Sequence, residues 1–180
     1  MRWKFIIGIA VFLWAVEIVN FVLGHSINQY GLIPRDTSQL WGILTAPFLH
    51  ANFMHLSANT LPLLILGALV ISHGVNRFLG ASAIIIILGG LAVWQFGRTG
   101  VHVGASGWIF GLFGFLLGNA WWERSLASLL TAFLAVFFYG GMIFGILPTK
   151  PFVSWEGHLF GFLAGLLSGA LLHDRPPKKS

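Results

Sequence analysis

The 180-residue chain contains no cysteine, which excludes disulfides, iron–sulfur clusters and thiolate catalysis. Charge is also scarce. Asp, Glu, Lys and Arg make up 8% of the residues, and only five are acidic. A soluble domain carries about 25% charged residues, so a water-exposed surface cannot be assembled from this composition. The formal net charge is +5, but the basic residues are scattered over the ends of apolar runs, which excludes a nucleic-acid patch. There is no low-complexity segment, no internal repeat and no H-E-x-x-H zinc motif.

What remains is hydrophobic. Apolar residues make up 57% of the chain and aromatics 15%, with a mean hydropathy of +0.85. Long apolar runs divided by short charged, Gly or Pro breaks describe a polytopic membrane protein. Six runs are present, at about 5–24, 55–72, 79–97, 105–121, 126–147 and 155–172. They predict an all-α six-helix bundle forming a single domain over 1–180. The first run follows Arg2 and Lys4 like a signal peptide, yet it contains Glu17 and no clear small-x-small cleavage site follows. It reads as a retained first helix.

An even number of spans puts both termini on one side. Arg2, Lys4, Arg77, Arg124, Arg175, Lys178 and Lys179 fall on that side, against Arg35, Arg98 and Lys150 on the other. The positive-inside rule then predicts cytoplasmic termini, and the short tails point to a prokaryotic plasma membrane. The connector 25–54 is long for a compact protein and is expected to carry short helices in the outer interface.

Polar groups inside spans are costly, so each needs a reason. Asn59, Ser106 and His158 lie 18, 18 and 17 residues ahead of Arg77, Arg124 and Arg175. At 1.5 Å per residue they share a depth roughly 25–27 Å from the cytoplasmic boundary, near the outer face. His55 lies one turn beyond Asn59 on the same face. Glycines recur at 107, 111, 114 and 118, and at 157, 161, 165 and 169. Such small-residue faces let membrane helices approach closely. If the two faces meet, Ser106 and His158 come within hydrogen-bond reach, which is the minimum for an activated nucleophile.

Each feature has a plainer reading. Serine and glycine in a membrane helix ordinarily serve packing. His25, His73, His102 and His173 read as interfacial residues. A zinc site would need His50, His55 and His158, but the i, i+5 spacing of the first two puts them on different sides of a helix, so no metal or other cofactor is expected. Glu17 and Asn20 share a helix face. They are read as ties to the outer loop, with a proton or ion path as the alternative. The tryptophans at 3, 14, 121, 122 and 155 read as belt residues.

Three segments in combination resemble the rhomboid family of intramembrane serine proteases: "HANFMHLSAN" at 50–59, "GASGWIFG" at 104–111 and "GHLFGFLAG" at 157–165. The resemblance covers roughly 1–173. It implies Ser106 as nucleophile and His158 as general base, with no acidic third member. It implies His55 and Asn59 as oxyanion donors beside the Ser106 N–H, and His50 as a support for the outer loop. Gly161 and Gly165 match the glycines that pack the sixth span on the fourth. Gly104, Gly107 and Phe110 fall within the matching motif as supporting positions. The implied substrates are transmembrane segments of other proteins, cut near the outer face after a small residue where the helix is locally unstable. Lateral entry is expected beside the fifth span, and lipid is the other implied partner. Two positions depart from the family pattern. Trp41 is followed by Gly42 where many members have arginine, and Phe110 replaces a tyrosine found in some members. The rival readings are a non-proteolytic client-binding protein of the same fold and a small transporter using Glu17 and the histidines.

Overall fold

The computed structural model describes residues 2–148 and 153–173. The side chain of Arg2, and Lys150, Arg175, Lys178 and Lys179 from the charge count, lie outside the described residues. Long apolar runs fold as helices because only a helix satisfies its own backbone in a lipid environment. Among the described residues six long helices form: α1 (Arg2–Val22), α2 (Phe53–Ser72), α3 (Val75–Phe96), α4 (Ser106–Glu123), α5 (Leu126–Ile146) and α6 (Trp155–Leu172). Five are long and apolar enough to cross a membrane. The sixth, α4, carries Asn119, Glu123 and three tryptophans, and it is the most enclosed.

The helix boundaries differ from the sequence expectation for local reasons. α3 begins at Val75 rather than near 79, because Gly74 at φ +125° makes the turn itself and the helix starts at once. Within α3 the segment Ile85–Gly89 widens to a π turn. The fifth run is α-helical only to Tyr139 and tightens to a 3₁₀ segment over Gly140–Ile146, where Gly140 and Gly141 weaken helix propensity.

The core is built around α4, with α6 packed along its length and α2, α3 and α5 on its other sides. α1 packs on α2. α5 is the least buried of the five apolar spans. The glycine faces explain the α4–α6 contact: a methyl group on Gly161 or Gly165 would overlap the carbonyl oxygens of Gly107 and Gly111.

The connector after α1 is structured. It contains 3₁₀ turns at Ser26–Tyr30, Thr37–Gln39 and Ala46–Phe48 and a short helix at Gly42–Thr45. Leu40, Trp41 and Leu44 are exposed on it. Gly42 has a reason of its own: a Cβ there would stand 2.5 Å from the Gly31 oxygen and 2.8 Å from the Leu32 Cα. The loop is closed here by backbone-to-backbone contact. Asn20 holds its base, donating to the His50 carbonyl and to Asn28, and accepting from the Ile27 N–H at 3.1 Å. Glu17 lies beside Asn20, fully buried.

Candidate active site

Ser106 is the first residue of α4, and the loop between α1 and α2 pins the turn before it. The Gly104 N–H donates to the Ala46 carbonyl at 2.9 Å, and the Ala105 N–H donates to His50 Nε2 at 3.3 Å. His50 is fully buried. Burial, and then the neighbouring His55, push its pKa down to about 3, so the ring is neutral and free to accept. Gly104 has φ +123°, and a Cβ there would stand 2.6 Å from the His55 ring. Only glycine gives both the left-handed backbone and the room for that ring.

His158 stands on the second turn of α6. Its Nδ1 lies 2.9 Å from the Gly145 carbonyl oxygen. A carbonyl can only accept, so Nδ1 carries the proton. The neutral ring therefore presents a bare Nε2, and Ser106 Oγ lies 2.9 Å from it. This is the tautomer a general base requires, set by a backbone oxygen instead of a carboxylate. Phe110 stacks flat on the imidazole, with ring centroids 4.1 Å apart and planes 4° apart.

His55 and Asn59, one turn apart on α2, line the same cavity as Ser106 and His158, with a volume of about 910 Å³. His55 is half-buried. Asn59 is buried, and its Nδ2 makes no hydrogen bond to the described residues. An unpaired buried donor facing a cavity is available to a developing negative charge. Pro62, in the same wall, has no N–H to offer the Ala58 carbonyl one turn earlier.

Several placements differ from expectation. His50 and His55 do not sit on opposite sides of one helix. His50 precedes α2 in the loop, and the two rings pack edge to face with centroids 5.2 Å apart. His158 is not their third partner, since both its nitrogens are engaged elsewhere. Among the described residues no three His, Asp or Glu side chains group as metal ligands. His102, read as an interfacial residue, also has a partner in the fold: its Nδ1 lies 2.6 Å from Ser154 Oγ. Trp14 is more than a belt residue, because it donates to Thr60 at 3.1 Å. Nearer the C-terminal ends of α4 and α6, Asn119 and Ser168 are fully buried, and Arg77 pairs with Glu123 at 2.8 Å. Glu156 does what its two-residue spacing from His158 requires, turning away from that ring to meet Arg98 at 3.2 Å.

Sequence reasoning missed Gly145, Arg98, His102 and Ser154. The signal for Gly145 was faint, a glycine-bearing end to an apolar run. Ser154 was visible as a helix cap, since its hydroxyl accepts from the Gly157 N–H at 3.2 Å.

An all-helical, multi-pass membrane bundle in which a serine and a histidine from facing helices meet at an open cavity defines the class. A family model for the rhomboid domain matches residues 37–175. The uncharacterized protein Rv1337 of Mycobacterium tuberculosis is 40% identical, over 97% of this chain and 76% of its own. The uncharacterized protein ML1171 of Mycobacterium leprae is 37% identical, over 100% of this chain and 76% of its own. RHOMBOID-like protein 5 of Arabidopsis thaliana is 32% identical, over 87% of this chain and 54% of its own. The chain belongs to the rhomboid family.

Proposed function

We propose that this protein is an intramembrane serine protease that cleaves transmembrane segments of other membrane proteins near the outer face. The observation that carries the reading is the Ser106 Oγ to His158 Nε2 contact at 2.9 Å, with the opposite ring nitrogen held by Gly145. In this mechanism Nε2 takes the hydroxyl proton as Oγ bonds to the scissile carbonyl carbon. The carbonyl oxygen becomes an oxyanion, and Asn59 Nδ2, His55 and the first N–H groups of α4 are its donors. Collapse breaks the C–N bond, and His158 returns the proton to the leaving amine. Water then bonds to the acyl carbon as His158 takes its proton, and the C–Oγ bond breaks as His158 returns that proton to Oγ, which releases the acid and restores the Ser106 hydroxyl. The open cavity supports water access.

A substrate helix must unwind to expose a carbonyl, which fits a locally unstable segment. The small burial of α5 supports entry on that side. Cytoplasmic termini follow from the basic-residue distribution. Transport is disfavoured because Asn20 is bonded into the outer loop, with Glu17 bound to it, rather than lining a path across the bundle.

The test is covalent labelling of the purified protein with a serine-directed fluorophosphonate, beside Ser106→Ala and His158→Ala. Labelling of the wild type that both substitutions abolish is the expected result. A folded wild-type protein that does not label sinks the protease reading in favour of client binding.

A further inference from the structure

A second serine–histidine pair lies beside the first. His102 precedes Ser106 by four residues and Ser154 precedes His158 by four, so both pairs span 52 residues with the residue types exchanged. All four side chains line the same cavity. His102 Nε2 faces the Arg98 carbonyl at 3.0 Å and must donate to it. In the neutral ring Nδ1 then accepts the Ser154 hydroxyl proton at 2.6 Å. Ser154 Oγ in turn accepts from the Gly157 N–H. With its oxygen committed to the helix cap, Ser154 is not a second nucleophile.

The surrounding bonds tie these two segments to each other and to the loop that follows α1. Arg98 Nε meets Glu156 Oε1 at 3.2 Å. The Arg98 N–H donates to the same oxygen at 3.3 Å, and its guanidinium donates to the Val153 carbonyl. The backbone of His102 is bridged to Leu32 in both directions, at 3.0 and 2.8 Å. The glycine contact between α4 and α6 reaches Gly157, whose carbonyl faces Gly107. Beyond it, the first turn of α6 is bonded to Arg98 and His102. A polar pair this close to a reacting pair sets its geometry, and misplacement of a base by about 1 Å costs on the order of 10²-fold in rate.

We propose that His102 and Ser154 are positioning residues: they latch the first turn of α6 to the loop that leads into Ser106, and so hold His158 Nε2 at its distance from Ser106 Oγ. This rests on reading Ser106 and His158 as the reactive pair. Three variants test it in lipid nanodiscs: His102→Ala, Ser154→Ala and the double variant. His102→Asn, which restores an acceptor toward Ser154, is the conservative rescue. Two quantities are read: the fluorophosphonate labelling rate of Ser106, and amide exchange at Gly157 and His158.

His102→Ala leaves the helix cap intact. It is expected to slow maximal labelling by about tenfold or more, with the half-saturating reagent concentration changed by less than about threefold. The double variant is expected to be no slower than the slower single variant, as for two ends of one interaction, and His102→Asn to recover most of the rate. Unchanged labelling in His102→Ala, or losses that multiply in the double variant, overturns the proposal. If the wild type does not label, the reactive-pair reading falls separately and exchange decides the latch. Faster exchange at Gly157 and His158 in His102→Ala upholds it, and unchanged exchange overturns it.

Discussion

The Gly145 carbonyl oxygen accepts the His158 Nδ1–H at 2.9 Å, and so a backbone group at the end of one helix sets the tautomer of a base on another. The position has no room to spare. A Cβ on Gly145 would stand 2.8 Å from Phe110 Cζ and 3.4 Å from His158 Nδ1. Gly145→Val is therefore expected to reduce fluorophosphonate labelling at least about tenfold by displacing that carbonyl. Gly141→Val, where nothing lies within 4 Å, is expected to label normally. Equal labelling of the two variants would show that Gly145 does not orient the base.

Phe110 supplies a flat surface to the imidazole and no hydrogen bond. Stacked aromatic pairs contribute about 0.5–1.5 kcal/mol beyond their burial. Phe110→Leu is accordingly expected to slow labelling by roughly two- to tenfold, and Phe110→Tyr to leave it near wild type. A Leu variant as fast as wild type would assign the stack to packing alone.

Asn59 Nδ2 is buried with no partner among the described residues. Removing an unpaired polar group does not forfeit a hydrogen bond in the resting protein. Asn59→Ala is expected to leave the thermal midpoint unchanged or raised. It should still lower the cleavage rate of a model transmembrane substrate by about 10²–10³-fold, the usual loss of one oxyanion donor. A large fall in midpoint with little loss of rate would make Asn59 structural.

The α4–α6 seam tolerates nothing larger than glycine at Gly161, where an added methyl would overlap the Gly107 oxygen. Gly161→Ala is expected to lower the thermal midpoint in detergent sharply. Gly140→Ala, with its nearest neighbour at an ordinary 3.5 Å, should not. Matching midpoints would mean that the helices can separate without penalty.

His50 gives stability a pH dependence of known sign. Unfolded, its pKa is 6.5; folded, it is about 3. Between those values the unfolded state binds more protons, so stability falls as pH drops from 6.5 toward 3. Melting curves at pH 7 and pH 4.5 are expected to differ less for His50→Asn, which still accepts from the Ala105 N–H, than for wild type. An unaltered difference would remove His50 from the account.

Much of this was legible in the linear chain because membrane physics leaves few options. Apolar runs of about 20 residues must become helices, and glycines three or four apart must lie on one helix face. That Asn59, Ser106 and His158 line one cavity was foreshadowed by their matching positions along helices of fixed rise. Gly145 was not legible, because its contribution is a carbonyl, which every residue carries. His102 looked like an interfacial histidine because its partner lies 52 residues away. The departure at Gly42 was visible, but its reason, contact with the Gly31–Leu32 backbone, was not.

The sequence by itself determined the solvent, the helices and the glycine faces along which α4 and α6 would meet, because hydropathy and helical periodicity are local properties. Only the tertiary structure decided which nitrogen of His158 carries the proton, which donor is left unpaired at Asn59, and which bonds tie the loop before Ser106 to the start of α6. Those depend on where a carbonyl or hydroxyl from a distant segment comes to rest, and a hydrogen bond is decided within a few tenths of an ångström.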